Sequence, residues 1–79
     1  MFKILVKAVG LTVEGRTIPV KYFEVRTLKG SRYYSAEILL GPSDRIILDD
    51  DSAANLEVQT AFIVPVSLYS RALIKEGPQ

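Results

Sequence analysis

Two tyrosines, Tyr22 and Tyr33, and three cations, Lys3, Lys7 and Arg26, are the side chains of this sequence whose types could act together. On one face of a sheet, aromatic rings stack on unpaired bases while cations follow phosphates, so these five residues define a candidate nucleic-acid-binding face. Strand pairing would set Lys3 opposite Arg26, a like-charge contact that a bound anion would relieve. The competing reading is an ordinary solvated face, because tyrosine is a common strand former and Glu24 and Glu37 offset part of the charge. The aromatic motif of ribonucleoprotein domains is absent, and the formal net charge is only +1.

The acidic run Asp49, Asp50 and Asp51, with Asp44 and Ser52 nearby, is a second candidate, since carboxylates in a loop can hold Mg²⁺ or Ca²⁺. Its spacing argues otherwise. A calcium loop of the helix-loop-helix kind needs ligands at alternate positions, a turn glycine and a distant glutamate, none of which follows. No metal and no cofactor is expected. With neither histidine nor cysteine in 79 residues, a Ser-His-Asp triad, a thiolate nucleophile and an imidazole or thiolate metal site are all excluded within one chain. Catalysis is therefore not expected either.

These side chains depend on the elements that carry them. The chain reads as a single small domain, residues 1–79, of 8.8 kDa with 48% apolar residues. At this size folding removes about 60% of the unfolded chain's surface from water, and without disulfide or zinc a close-packed core or self-association must supply stability. Turn chemistry at Glu14–Gly15, Lys29–Gly30 and Gly41–Asp44 separates alternating segments, which read as strands over about 2–9, 16–26, 32–40 and 45–49. Two-residue turns would place Ile4 opposite Val25, Val6 opposite Phe23, Ala8 opposite Lys21, Val25 opposite Tyr34 and Phe23 opposite Ala36. The fourth strand would set Ile47 opposite Ile38. The expected core face is then Phe2, Ile4, Val6, Phe23, Val25, Tyr34, Ile38 and Leu40, with Lys3, Lys7, Tyr22, Arg26 and Tyr33 on the other side. The segments Glu14–Pro19 and Gly41–Arg45 resemble the punctuation of swapped-hairpin transcription factors of the AbrB class, but two strands stand between them here in place of a helix, so no function follows.

The last third supports two readings. Alternation of Leu56, Val58, Thr60, Phe62 and Val64 suggests a fifth strand over 56–64, followed by a helix over about 67–76 that Gly77 would cap. The alternative is a helix over 52–63 and a last strand over 65–74. We take the first as the expectation, which gives an α+β, β-rich class: an antiparallel meander of four to five strands with one helix in the C-terminal third.

An open meander leaves two edges unpaired, and Leu5, Val9, Val20, Leu39, Ile46 and Leu48 would lie on its outer face. Self-association would cover them, as would closure of the sheet into a barrel. The function expected is a small non-catalytic interaction module, self-associating or binding protein, and the alternative is a nucleic-acid-binding module using the tyrosine and basic face. Neither a signal peptide nor a membrane-spanning run is apparent, so the cytoplasm is the expected compartment and no membrane partner is expected. The near-neutral total also hides an asymmetry: residues 1–32 carry seven Lys or Arg against two acids, and residues 33–79 three against seven. Such halves could meet between subunits or present a basic face to an anion.

Overall fold

A computed structural model describes residues 1–76 of the chain. Four strands, β1 (Phe2–Val13), β2 (Arg16–Arg26), β3 (Arg32–Gly41) and β4 (Asp44–Asp50), form one antiparallel sheet in the order β1-β2-β3-β4, and a single helix, α1 (Ala53–Glu76), follows. The meander and the C-terminal helix are those expected, and the class is α+β dominated by its sheet.

The registers differ from expectation in three places, each by one residue. Glu14 (φ 48°) and Gly15 (φ 79°) make the tight two-residue turn whose twist suits a hairpin, and Ala8 does pair with Lys21. A bulge between Leu5 and Lys7 then shifts the outer half of β1, so that Lys3 pairs with Val25 and Phe2 with Arg26. The second turn is a three-residue loop closed by bonds from the Gly30 N–H to the Thr27 carbonyl (3.1 Å) and from the Thr27 N–H to the Ser31 carbonyl (3.0 Å). Gly30, at φ 85°, supplies the left-handed residue that such a loop needs. Arg26 therefore pairs with Arg32, Val25 with Tyr33 and Tyr22 with Ala36. A second bulge, between Leu39 and Gly41, sets Ile38 opposite Ile46 rather than Ile47.

Because side chains alternate, each one-residue change moves a strand's residues to the other face. The core lies under α1 and is built from Ile18, Val20, Tyr22, Ala36, Ile38 and Leu40, with Leu56 and Val64 of the helix. Of the expected core, Ile38 and Leu40 are buried there and Tyr34 packs against it. Phe2, Ile4 and Val6 are instead exposed, while Phe23 and Val25 belong to the sheet face away from α1.

The expected fifth strand over 56–64 is helical, and so is the segment 65–74 that the alternative made a strand. Ser52 starts α1: its hydroxyl accepts the Asn55 N–H (3.2 Å), its carbonyl accepts the Leu56 N–H (3.0 Å), and Asp50 accepts the Ser52 N–H (2.8 Å). The buried stripe is Leu56, Thr60 and Val64, at four-residue spacing. Thr60 is fully enclosed because its hydroxyl donates to the Leu56 carbonyl at 2.8 Å. Pro65 lies inside the helix, exposed at the edge of a depression that it shares with Val13 and Arg16, and it leaves the Ala61 carbonyl without its usual intrahelical donor. Gly77, the expected cap, lies outside the described residues.

Candidate interaction surfaces

The five residues of the proposed nucleic-acid face do not share a face. Tyr22 is buried in the core beneath α1, and Lys7, paired opposite it, lies on the same side. Arg26 falls on that side as well, since it alternates with Tyr22 and Glu24. Lys3 and Tyr33 flank Val25 on the opposite face. The like-charge pair expected between Lys3 and Arg26 is not formed.

Each of the three cations has a carboxylate. Lys3 donates to Glu37 (2.5 Å) and sits 4.4 Å from the centre of the Phe23 ring. Lys7 donates to Glu57 of α1 (2.5 Å) and lies 5.4 Å from the Tyr22 ring. Arg26 donates to Glu24 (2.7 Å). The Lys3 ammonium draws the Glu37 carboxyl below its ordinary value, with Arg45 adding to the effect. The hydrogen bond to Glu57 raises the Lys7 ammonium. Lys3–Glu37 and Lys7–Glu57 each join the basic first part of the chain to the acidic second part, so the two halves meet within one molecule.

The acidic run is divided by the helix start. Asp50 accepts from the Ser52 N–H and from the Gln59 amide (2.6 Å), whereas Asp49 and Asp51 are exposed. Among the described residues no acidic group converges as a metal site.

Apolar surface is more coherent than any polar constellation. The outward side of α1 shows Val58, Phe62 and Tyr69 at 70%, 68% and 67% exposure, continued by Val66 and Leu73. Spacings of three and four residues put these on one stripe. Between Ala53 and Ile74 the charged residues, Glu57 and Arg71, are turned away from it: Glu57 holds Lys7, and Arg71 reaches back to both oxygens of Asp44 at the start of β4 (2.6 and 2.9 Å). The Arg71 guanidinium in turn keeps the Asp44 carboxyl below its usual value.

A second apolar surface adjoins the first. α1 packs chiefly over β3 and β4, so β1 projects beyond it and residues 2–10 are all exposed. Leu5 and Leu39, expected on the outer face, do lie on the face away from α1, joined by Ile47. Val9, Val20, Ile46 and Leu48 lie instead on the helix side, and there Val20 is buried. Reading residues 56–64 as a strand hides the stripe on α1. Its signal is nonetheless present in the three- and four-residue spacing of Val58, Phe62, Val66, Tyr69 and Leu73.

No protein-family model matches the chain, and neither a curated protein nor a solved structure matches it. No described helix is long and apolar enough to cross a membrane.

Proposed function

We propose that the chain is a small, non-catalytic interaction module of the cytoplasm that acts by self-association, with the outward side of α1 as its principal contact surface. The observation that carries this reading is the inverted polarity of the helix. A surface helix ordinarily points its polar side to open water, yet between Ala53 and Ile74 the two charged residues, Glu57 and Arg71, lean onto the sheet at the flanks while Val58, Phe62, Val66, Tyr69 and Leu73 occupy the solvent side. The rings of Phe62 and Tyr69, each about two-thirds exposed, present roughly 250 Å² per copy, already near the largest apolar patch of a typical monomer once their aliphatic neighbours are added. A membrane surface is a poorer match, because helices that lie on lipid flank the apolar face with Lys and Arg on an open polar face. The nucleic-acid reading has less behind it: its cations are ion-paired and its tyrosines point to opposite faces.

Sedimentation at micromolar concentration tests the proposal. The expected outcome is a dimer that Phe62→Glu converts to a monomer with its far-ultraviolet circular dichroism unchanged. A wild-type chain that sediments as a monomer throughout the micromolar range overturns self-association, and a salt-sensitive shift on adding a labelled oligonucleotide would restore the rival.

A further inference from the structure

We infer that a second copy of the chain docks face to face, its α1 ridge seated in the step between α1 and β1, so that two helices lie side by side between two sheets. This deepens the self-association proposed above and rests on it. The step is a feature of the fold. Its floor is the overhanging part of β1, where Val9, paired with core residue Val20, and Val6, displaced by the bulge, face the helix side. The wall is the flank of α1 nearest β1. One depression, lined by Val6, Tyr22 and Leu56 with Lys7 and Glu57, lies at the N-terminal half of α1, and another, lined by Val13, Pro65, Leu68 and Ala72 with Glu14 and Arg16, lies at its C-terminal half. The two lie at different points along a helix about 36 Å long.

Three features point to a second copy as the occupant. First, ridge and step lie on the same side of the sheet, so a two-fold axis places each ridge in the other's step, a self-complementary contact that uses both surfaces twice. Second, the charges fit: the ridge side chains carry none, and each depression is lined by one acid and one base, Lys7 with Glu57, which are ion-paired, and Glu14 with Arg16, so docking covers no net charge. Third, the area suffices. Phe62, Tyr69 and the aliphatic side chains of ridge and step bring the surface covered by two copies to the order of 1,000 Å² or more, the threshold for a specific interface. Ridge-to-ridge contact alone would leave Val6, at 57% exposure, in water.

The absence of cysteine makes the geometry directly testable. Chains with a single cysteine at Val6 or Val9 are mixed with chains carrying one at Val58, Phe62, Tyr69 or Leu73, oxidised under mild conditions and scored for mixed disulfides, with Ile47→Cys as a probe of the opposite sheet face. The expected result is a mixed β1–α1 disulfide for at least one ridge position, lost when the α1 chain also carries Val66→Glu. Disulfides formed only between two α1 positions, or between two Ile47→Cys chains, overturn the step geometry while leaving self-association standing. A wild-type chain that sediments as a monomer overturns both.

Discussion

On the side of α1 turned to the sheet, Leu56, Thr60 and Val64 are sealed from water; on the side turned away, Val58, Phe62 and Tyr69 stand in it with no charge among them. Both sides are apolar, but the residues differ in kind. The inner stripe is narrow and holds a polar threonine that satisfies itself, as suits a helix fitted closely to strands. The outer stripe carries two large aromatic residues, the type enriched at contact surfaces because one ring brings much area at little cost in side-chain entropy. The inner side accounts for the fold of a single chain. The outer one has no role in that fold, and it is what the proposed dimer explains.

Truncation on each side should separate the two roles. Leu56→Ala removes a fully buried side chain and should cost about 2–5 kcal/mol, lowering the melting temperature of a domain this small by about 10 °C or more at every protein concentration. Phe62→Ala should change the unfolding free energy of the dilute monomer by no more than about 0.5 kcal/mol. Its effect should emerge at high concentration, where the wild-type chain gains stability from association and the variant does not. Urea titrations at two concentrations measure both. Equal losses for Phe62→Ala at the two concentrations would mean that the outer stripe belongs to the fold.

Next in size is Ser70→Pro, which tests the continuity of the helix on which both stripes depend. Pro65 is accommodated in the interior of α1, but a second proline five residues on removes another backbone donor and sets its ring against the Val66 carbonyl. The expected cost is about 3 kcal/mol, read as loss of melting temperature. A small loss would mean that the last turns of α1 are not helical in solution.

The sequence made the meander legible and its registers much less so, for a physical reason. Gly15 and Gly30 mark turns correctly, but whether Gly30 ends a two-residue or a three-residue loop decides which way every side chain of β3 faces relative to β2, and turn composition does not separate the two. Bulges at Val6 and near Leu40 carry no sequence mark here, and they re-aim Phe2, Ile4 and the partners of Ile38. The candidate site suffered most, because a face assembled from Lys3, Lys7, Tyr22, Arg26 and Tyr33 requires three strands in correct register at once. The helix is obscured differently: Thr60 reads as a strand former and Pro65 as a breaker, whereas in α1 the Leu56 carbonyl satisfies the threonine hydroxyl and the proline stands within the helix.

The smallest effect expected is that of pH, and its direction differs among the ion pairs. The Asp44 and Glu37 carboxyls are drawn below their ordinary values of 3.8 and 4.5 by Arg71 and Lys3. A lowered folded-state value means stability that is present above the ordinary value and lost as pH falls through the folded one. Both pairs are largely at the surface, so the loss is small; it should appear as a lower urea midpoint as pH drops from 5 towards 3, and Asp44→Asn should remove part of it. Lys7 works in the other direction: its raised ammonium contributes below 10.5 and ceases to as pH climbs through the raised value. Between these limits the three ion pairs stay formed, and Val58, Phe62, Val66 and Leu73 carry no group that titrates. Self-association should accordingly show a dissociation constant that is level from pH 5 to pH 8 and only weakly sensitive to salt, because the ridge side chains carry no charge and the Lys7–Glu57 pair beside them is neutral as a unit.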